Sequence, residues 1–209
     1  MALSRNQRRL DELVLDCIQD HPEARIIPLA YDLSELKTSP DSLLQKIRGH
    51  ISRIDILVNN AGFLVNKPFR DLTPGDVSAS LSVNYEAPLF LIQTLMPLLK
   101  TSKHAHVVNI GTMGAVQGSS KFPGLSAYSS SKSGLAALTE CLAEEYKETT
   151  VAFNYLALGA VQTEMLEEAF PGYEAPVSPE KMAEYIAGFA QTGHHYFNGK
   201  ILPVALSTP

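Results

Sequence analysis

Short apolar runs alternate with longer stretches of helical period along almost the whole of this 209-residue chain, and nothing else limits its fold so strongly. Residues 25–31, 54–59, 105–110, 150–156 and 200–205 are apolar and rich in β-branched side chains, with no in-out alternation, so they read as strands buried on both faces. Between them lie helices. Leu10, Leu13, Val14 and Cys17 form an amphipathic stripe that Pro22 ends, and residues 41–51 again have helical period. Thr73-Pro74 supplies an N-cap followed by proline at the first helical position and opens a long helix to about residue 100. A helix rich in small residues follows over 126–146, and Ser178-Pro179-Glu180 caps another. This order predicts an α/β domain, a parallel sheet covered by helices on both faces, with residues 1–209 as one unit.

In such sheets ligands bind beyond the carboxyl ends of the strands. The polar and glycine-rich clusters fall there: Asp32, Asn60 to Gly62, Gly111 to Gly114, and Gly159 to Thr163. Within the helix that follows the second cluster of glycines stands Tyr128-Ser-Ser-Ser-Lys132, whose i, i+4 spacing puts phenol and ammonium on one face. Most such pairs are solvated helix faces, so the context decides. A free phenol holds its proton to a pKa near ~10, and a cation close by lowers that value. Preceded by a strand and a glycine-rich loop, the pair can deliver a proton to a carbonyl oxygen while a nicotinamide delivers hydride to the carbon.

These residues resemble the short-chain dehydrogenase/reductase family, from about Ala2 to the C-terminus, in several motifs that keep the family's order. Asn59-Asn60-Ala61-Gly62 is similar to its Asn-Asn-Ala-Gly signature, Val83-Asn84 to the segment of its active-site asparagine, and Tyr128 and Lys132 to its catalytic pair. Asn154 through Gly159 to Thr163 resembles the segment that holds the nicotinamide amide. The resemblance implies a Rossmann-like doubly wound fold and an oxidoreductase acting on a small carbonyl or alcohol with NADP or NAD. Tyr128 would be the acid or base, Lys132 would lower its pKa and bond the nicotinamide ribose, and Asn84 would hold a water linking Lys132 to solvent. Asn60, Ala61, Gly62, Gly159 and Thr163 would line the cofactor, and Asp32 would meet the adenine. Arg5 falls where the family often places a base for a 2′-phosphate, which favours NADPH. A dimer or tetramer is also implied.

Three departures qualify the resemblance. The family's opening strand, its Thr-Gly-x-x-x-Gly-x-Gly phosphate loop and the helix after it have no counterpart here, since Met1 to Ser4 aligns with the end of the second strand. The fold is therefore expected to be incomplete at the N-terminus, with Met1 an internal methionine of a longer reading frame or the start of a shortened chain; a natural short form stays open. Thr112 stands where a serine usually binds the carbonyl, about three residues further from the tyrosine than is common, with Ser119 and Ser120 as alternatives. Leu158 replaces a proline before Gly159.

Other readings fit less well. Ser129-Ser-Ser-Lys132 has the Ser-x-x-Lys spacing of penicillin-recognising hydrolases, but no Ser-Asp-Asn or Lys-Thr-Gly follows. His104, His106, His194 and His195 have no metal-ligand spacing with cysteine or carboxylate, so no metal is expected. A non-catalytic binding protein or inactive fragment is the rival from another class. The net charge of -5 has no basic stripe for nucleic acid, and no run is long enough for a membrane span or secretion signal. Cys17 and Cys141 stand apart, consistent with a reducing, cytoplasmic setting.

Overall fold

The computed structural model of the protein describes residues 1–207. They form two compact units, 1–52 and the remainder, where the sequence led us to expect one. The strands make two separate parallel ladders.

In the first unit β1 (Ala2–Ser4) pairs in parallel with β2 (Pro28–Ala30). Between them α1 (Gln7–Asp20) is capped by Asn6, whose side chain accepts from the Arg9 amide. Of the apolar stripe on α1 only Leu10 is fully buried. The other buried apolar side chains of this unit are Tyr31, Leu36, Leu43 and Ile47, the last two from α2 (Pro40–Arg48).

The second unit is a four-stranded parallel sheet, order β3 (Ile56–Asn59), β4 (Ala105–Thr112), β5 (Val151–Leu158) and β6 (Lys200–Val204). The strands begin within two residues of the apolar runs, and β3 and β6 end within one residue of theirs, whereas β4 and β5 each continue two residues further, through Thr112 and Leu158. These extra residues carry the chain to the rim where the polar clusters lie. Period-two packing divides the two faces. Val108, Ile110 and Leu156 pack on one side with Phe189 and Ala190 of α7 (Pro179–Thr192), and Tyr155 and Ala157 pack on the other with Leu135 and Ala136 of α5 (Ser126–Glu145). This is the Rossmann-like α/β arrangement with helices on both faces. β3 is an edge strand, bonded to β4 alone among the described strands, and its Ile56 and Val58 are 41% and 38% exposed.

The long helix opens as expected with a reciprocal capping box: Thr73 accepts from the Asp76 amide, and the Asp76 carboxylate accepts from the Thr73 amide. Its middle differs from the expectation of one regular helix. Between α3 (Pro74–Leu81) and α4 (Ala87–Leu99) the turn Ser82–Glu86 widens to π geometry, an irregularity that tends to occur at functional sites because it redirects a side chain. The residue redirected is Asn84.

Candidate active site

At the carboxyl ends of β3, β4 and β5 lies a cavity of about 310 Å³. Its wall includes Asn60, Gly62, Thr112, Tyr128, Lys132, Gly159 and Thr163, all foreseen from sequence. α5 brings Tyr128 and Lys132 to the cavity together, as their four-residue spacing requires. Ala61 is exposed and does not line it.

Lys132 is 3% exposed and donates from Nζ to the Ile110 carbonyl at 2.8 Å. Burial lowers its pKa to about 8 and pushes the Tyr128 phenol up to about 12. The lowering of the phenol expected from Lys132 is thus not what this structure shows: the ammonium is engaged with a backbone carbonyl, and desolvation dominates the phenol.

Asn84 is tied to two other segments. It is fully buried; its Oδ1 accepts from the Phe63 amide at 2.8 Å, and its Nδ2 donates to the Phe63 carbonyl at 2.8 Å and to Ser131 Oγ at 3.0 Å. Both amide protons are committed, and through them Asn84 clamps the segment after Gly62 to α5.

Among the hydroxyls, Thr112 lines the cavity, whereas Ser119 and Ser120 do not. The Thr112 Oγ1 accepts from the Gly114 amide at 3.3 Å, which leaves its proton for another acceptor. Ser119 Oγ instead contacts the carbonyls of Met113 and Val116 and accepts from Lys121 Nζ at 2.9 Å. The long loop is tied to itself.

Gly159 is needed for a reason other than the cofactor: a Cβ there would come within 2.5 Å of both Ala205 Cβ and the Ser207 carbonyl oxygen. Thr163 caps α6 (Glu164–Ala169), accepting from the Leu166 amide. Arg5 and Asp32 lie in the first unit. Asp32 accepts from the Ser34 amide at 2.9 Å, and this bond, with a smaller contribution from Arg5, holds its carboxyl below the usual range.

Two features escaped sequence reasoning. Tyr155, fully buried, accepts from the Thr112 amide at 3.1 Å and fills the space beside Gly111, where a Cβ would lie 1.7 Å from its Cζ. The signal was present, because glycine inside a strand marks a close approach. The apolar wall of Leu64, Met113, Leu125 and Leu166 was visible only as composition. The four histidines do gather: His106 is held between Ala190 O and Asn154 Nδ2, and His194 stacks near His104, His106 and His195. Among the described residues no group of three or more His, Cys, Asp or Glu could hold a metal, and no helix is long and apolar enough to cross a membrane.

Comparison with known proteins agrees with this geometry. The family model for short chain dehydrogenase matches residues 1–174, and the chain belongs to that family of oxidoreductases. A fatty acyl-CoA reductase of Mycobacterium tuberculosis is 30% identical over 196 residues, covering 92% of this chain and 65% of that protein. Several of the curated relatives it matches are longer, this chain spanning 62–65% of their length. An NADPH-bound short-chain oxidoreductase of Pseudomonas aeruginosa shares the fold with a TM-score of 0.86 at 21% identity, over 98% of this chain and 85% of that one. A 3-ketoacyl-(acyl-carrier-protein) reductase of Brucella melitensis complexed with NADH gives 0.81 at 20%, over 97% and 84%.

Proposed function

We propose that this protein interconverts a small carbonyl compound and the corresponding alcohol with a nicotinamide dinucleotide, Tyr128 exchanging the proton. The observation that carries the reading is the meeting of Tyr128, Lys132 and Thr112 at one cavity with Asn60, Gly62, Gly159 and Thr163. The cavity suits the nicotinamide end of such a cofactor: Gly62 leaves backbone bare beside Lys132, and Lys132 has two ammonium protons beyond the one given to Ile110 for ribose hydroxyls. When bound, that group supplies or accepts the hydride at the carbonyl carbon.

The residues do the rest. Thr112 Oγ1 donates to the carbonyl oxygen and polarises it. Tyr128 Oη gives its proton to the same oxygen as the C–O double bond becomes single, and the phenolate formed is stabilised by the Lys132 ammonium. Because burial holds the free phenol protonated well above neutrality, the unliganded site is set for reduction.

Loss of NADPH absorbance with a panel of ketones and aldehydes tests the reading. Tyr128→Phe should abolish turnover, and Thr112→Ala should lower kcat on the order of a hundredfold. Equal rates for the native protein and Tyr128→Phe would overturn it, as would binding of cofactor with no turnover of any carbonyl. Arg5, exposed just after β1, supports preference for the 2′-phosphate of NADPH. Arg5→Ala should raise KM for NADPH and leave that for NADH unchanged.

A further inference from the structure

The cavity also carries information about the substrate, on the reading that it is the reaction site. Of its 21 lining residues only Tyr128 and Lys132 ionise, and Lys132 is buried and bonded to Ile110. No lining guanidinium, imidazole or second ammonium can pair with a carboxylate or phosphate brought in with the substrate, and an unpaired charge buried there would be heavily penalised. The side away from Lys132 is apolar, and at about 310 Å³ the space is at the small end of ligand pockets.

That apolar side is built around two rings. Phe122, from the loop after β4, and Phe170, at the end of α6, meet edge to face with centroids 5.4 Å apart and planes at 76°. The segments bearing them are tied to a third. Asn66 Nδ2 donates to the Ala169 carbonyl at 2.7 Å, and the Lys67 amide donates to the Gly124 carbonyl at 3.0 Å. Gly124 has φ +86°, and a Cβ there would fall 1.9 Å from Asn66 Oδ1. The Asn66-Lys67 dipeptide thus fixes both loops, and the ring pair stands as a preset wall.

We infer that the site selects a compact, uncharged carbonyl compound bearing an aromatic or branched apolar group, seated against the Phe122–Phe170 pair, with Asn66 as the positioning residue that holds the pair. Straight alkyl chains, which lack a face to stack on the ring pair, and substrates with an anionic group on that side, which meet no pairing cation, are disfavoured.

Binding to the full chain without cofactor tests this by saturation-transfer NMR and titration with acetophenone, acetophenone carrying a para-carboxylate, and a long straight-chain methyl ketone. Acetophenone should bind, with the carboxylate and the long ketone each weaker on the order of tenfold or more. Phe122→Leu and Phe170→Leu, which keep a hydrophobic side chain, should weaken acetophenone several-fold, and the Ala variants more. Asn66→Ala should weaken it comparably and abolish the nuclear Overhauser contact between the two phenylalanine rings while the circular dichroism spectrum is unchanged. Equal affinity for the carboxylate, or unchanged affinity in folded Phe170→Leu and Phe122→Leu, would overturn the inference. Failure of NADPH turnover alongside the expected binding would sink only the catalytic reading. Turnover of anionic or long-chain carbonyls with no acetophenone binding would sink only this one.

Discussion

Replacing Gly111 by alanine probes the contact that aims the end of β4. The new methyl would sit 1.7 Å from Tyr155 Cζ, 1.8 Å from Oη and 2.3 Å from Cε1, whereas carbon atoms rest about 3.5–4.0 Å apart. The ring must move by roughly 2 Å to restore that separation, yet it is fully buried in the core with Leu135 and Ala136. Overpacking of this kind costs about 1–3 kcal/mol, and the Thr112 amide loses its acceptor at about 1–3 kcal/mol if nothing replaces it. We expect Gly111→Ala to destabilise by about 3–5 kcal/mol. Tyr155→Ala alone should cost about 3–5 kcal/mol as a cavity. In the double variant the methyl occupies space that the ring vacates, so the cost should stay near that of Tyr155→Ala, a coupling of about 3–5 kcal/mol against the ~0.5 kcal/mol within which independent changes add. Urea unfolding of the four proteins reads this directly. Additive costs, or a Gly111→Ala protein as stable as the parent, would refute the packing argument.

Further outcomes follow from other contacts. Thr73→Ala removes one half of the capping box and should cost about 1 kcal/mol in urea unfolding. His106 is buried and neutral, its pKa lowered to about 4 by desolvation, so as pH falls from 6.5 toward 4 the unfolded chain takes up a proton that the folded one refuses. Stability should decline over that window by on the order of 3 kcal/mol, and a His106 imidazole titrating near 6.5 by NMR would contradict this. Lys132→Met should raise stability at neutral pH by on the order of 2 kcal/mol, the relieved desolvation less one hydrogen bond. Since the folded lysine loses its proton near 8 and the unfolded one near 10.5, the gain should shrink as pH rises between those values. A variant less stable than the parent throughout would show that the Ile110 bond outweighs the buried charge.

The alternation of apolar runs with helical stretches determined the fold class, because period and buried length are local properties of the chain. Tyr128 and Lys132 were legible for the same reason: four residues on a helix leave only one face to share. The Thr73 cap was legible too, since its partner is three residues away. What tertiary structure decided depends on partners far along the chain. Asn84 is committed to Phe63 and Ser131, 21 and 47 residues away, and a spacing pattern carries no record of which donors are already spent. Thr112 is separated from Ser119 as the cavity hydroxyl by Tyr155 behind its amide and by the self-bonded loop that withdraws the serine. The charge state of the phenol and ammonium was likewise invisible from sequence, because desolvation depends on everything packed around a group, and here it outweighs the neighbour that the helix places one turn away.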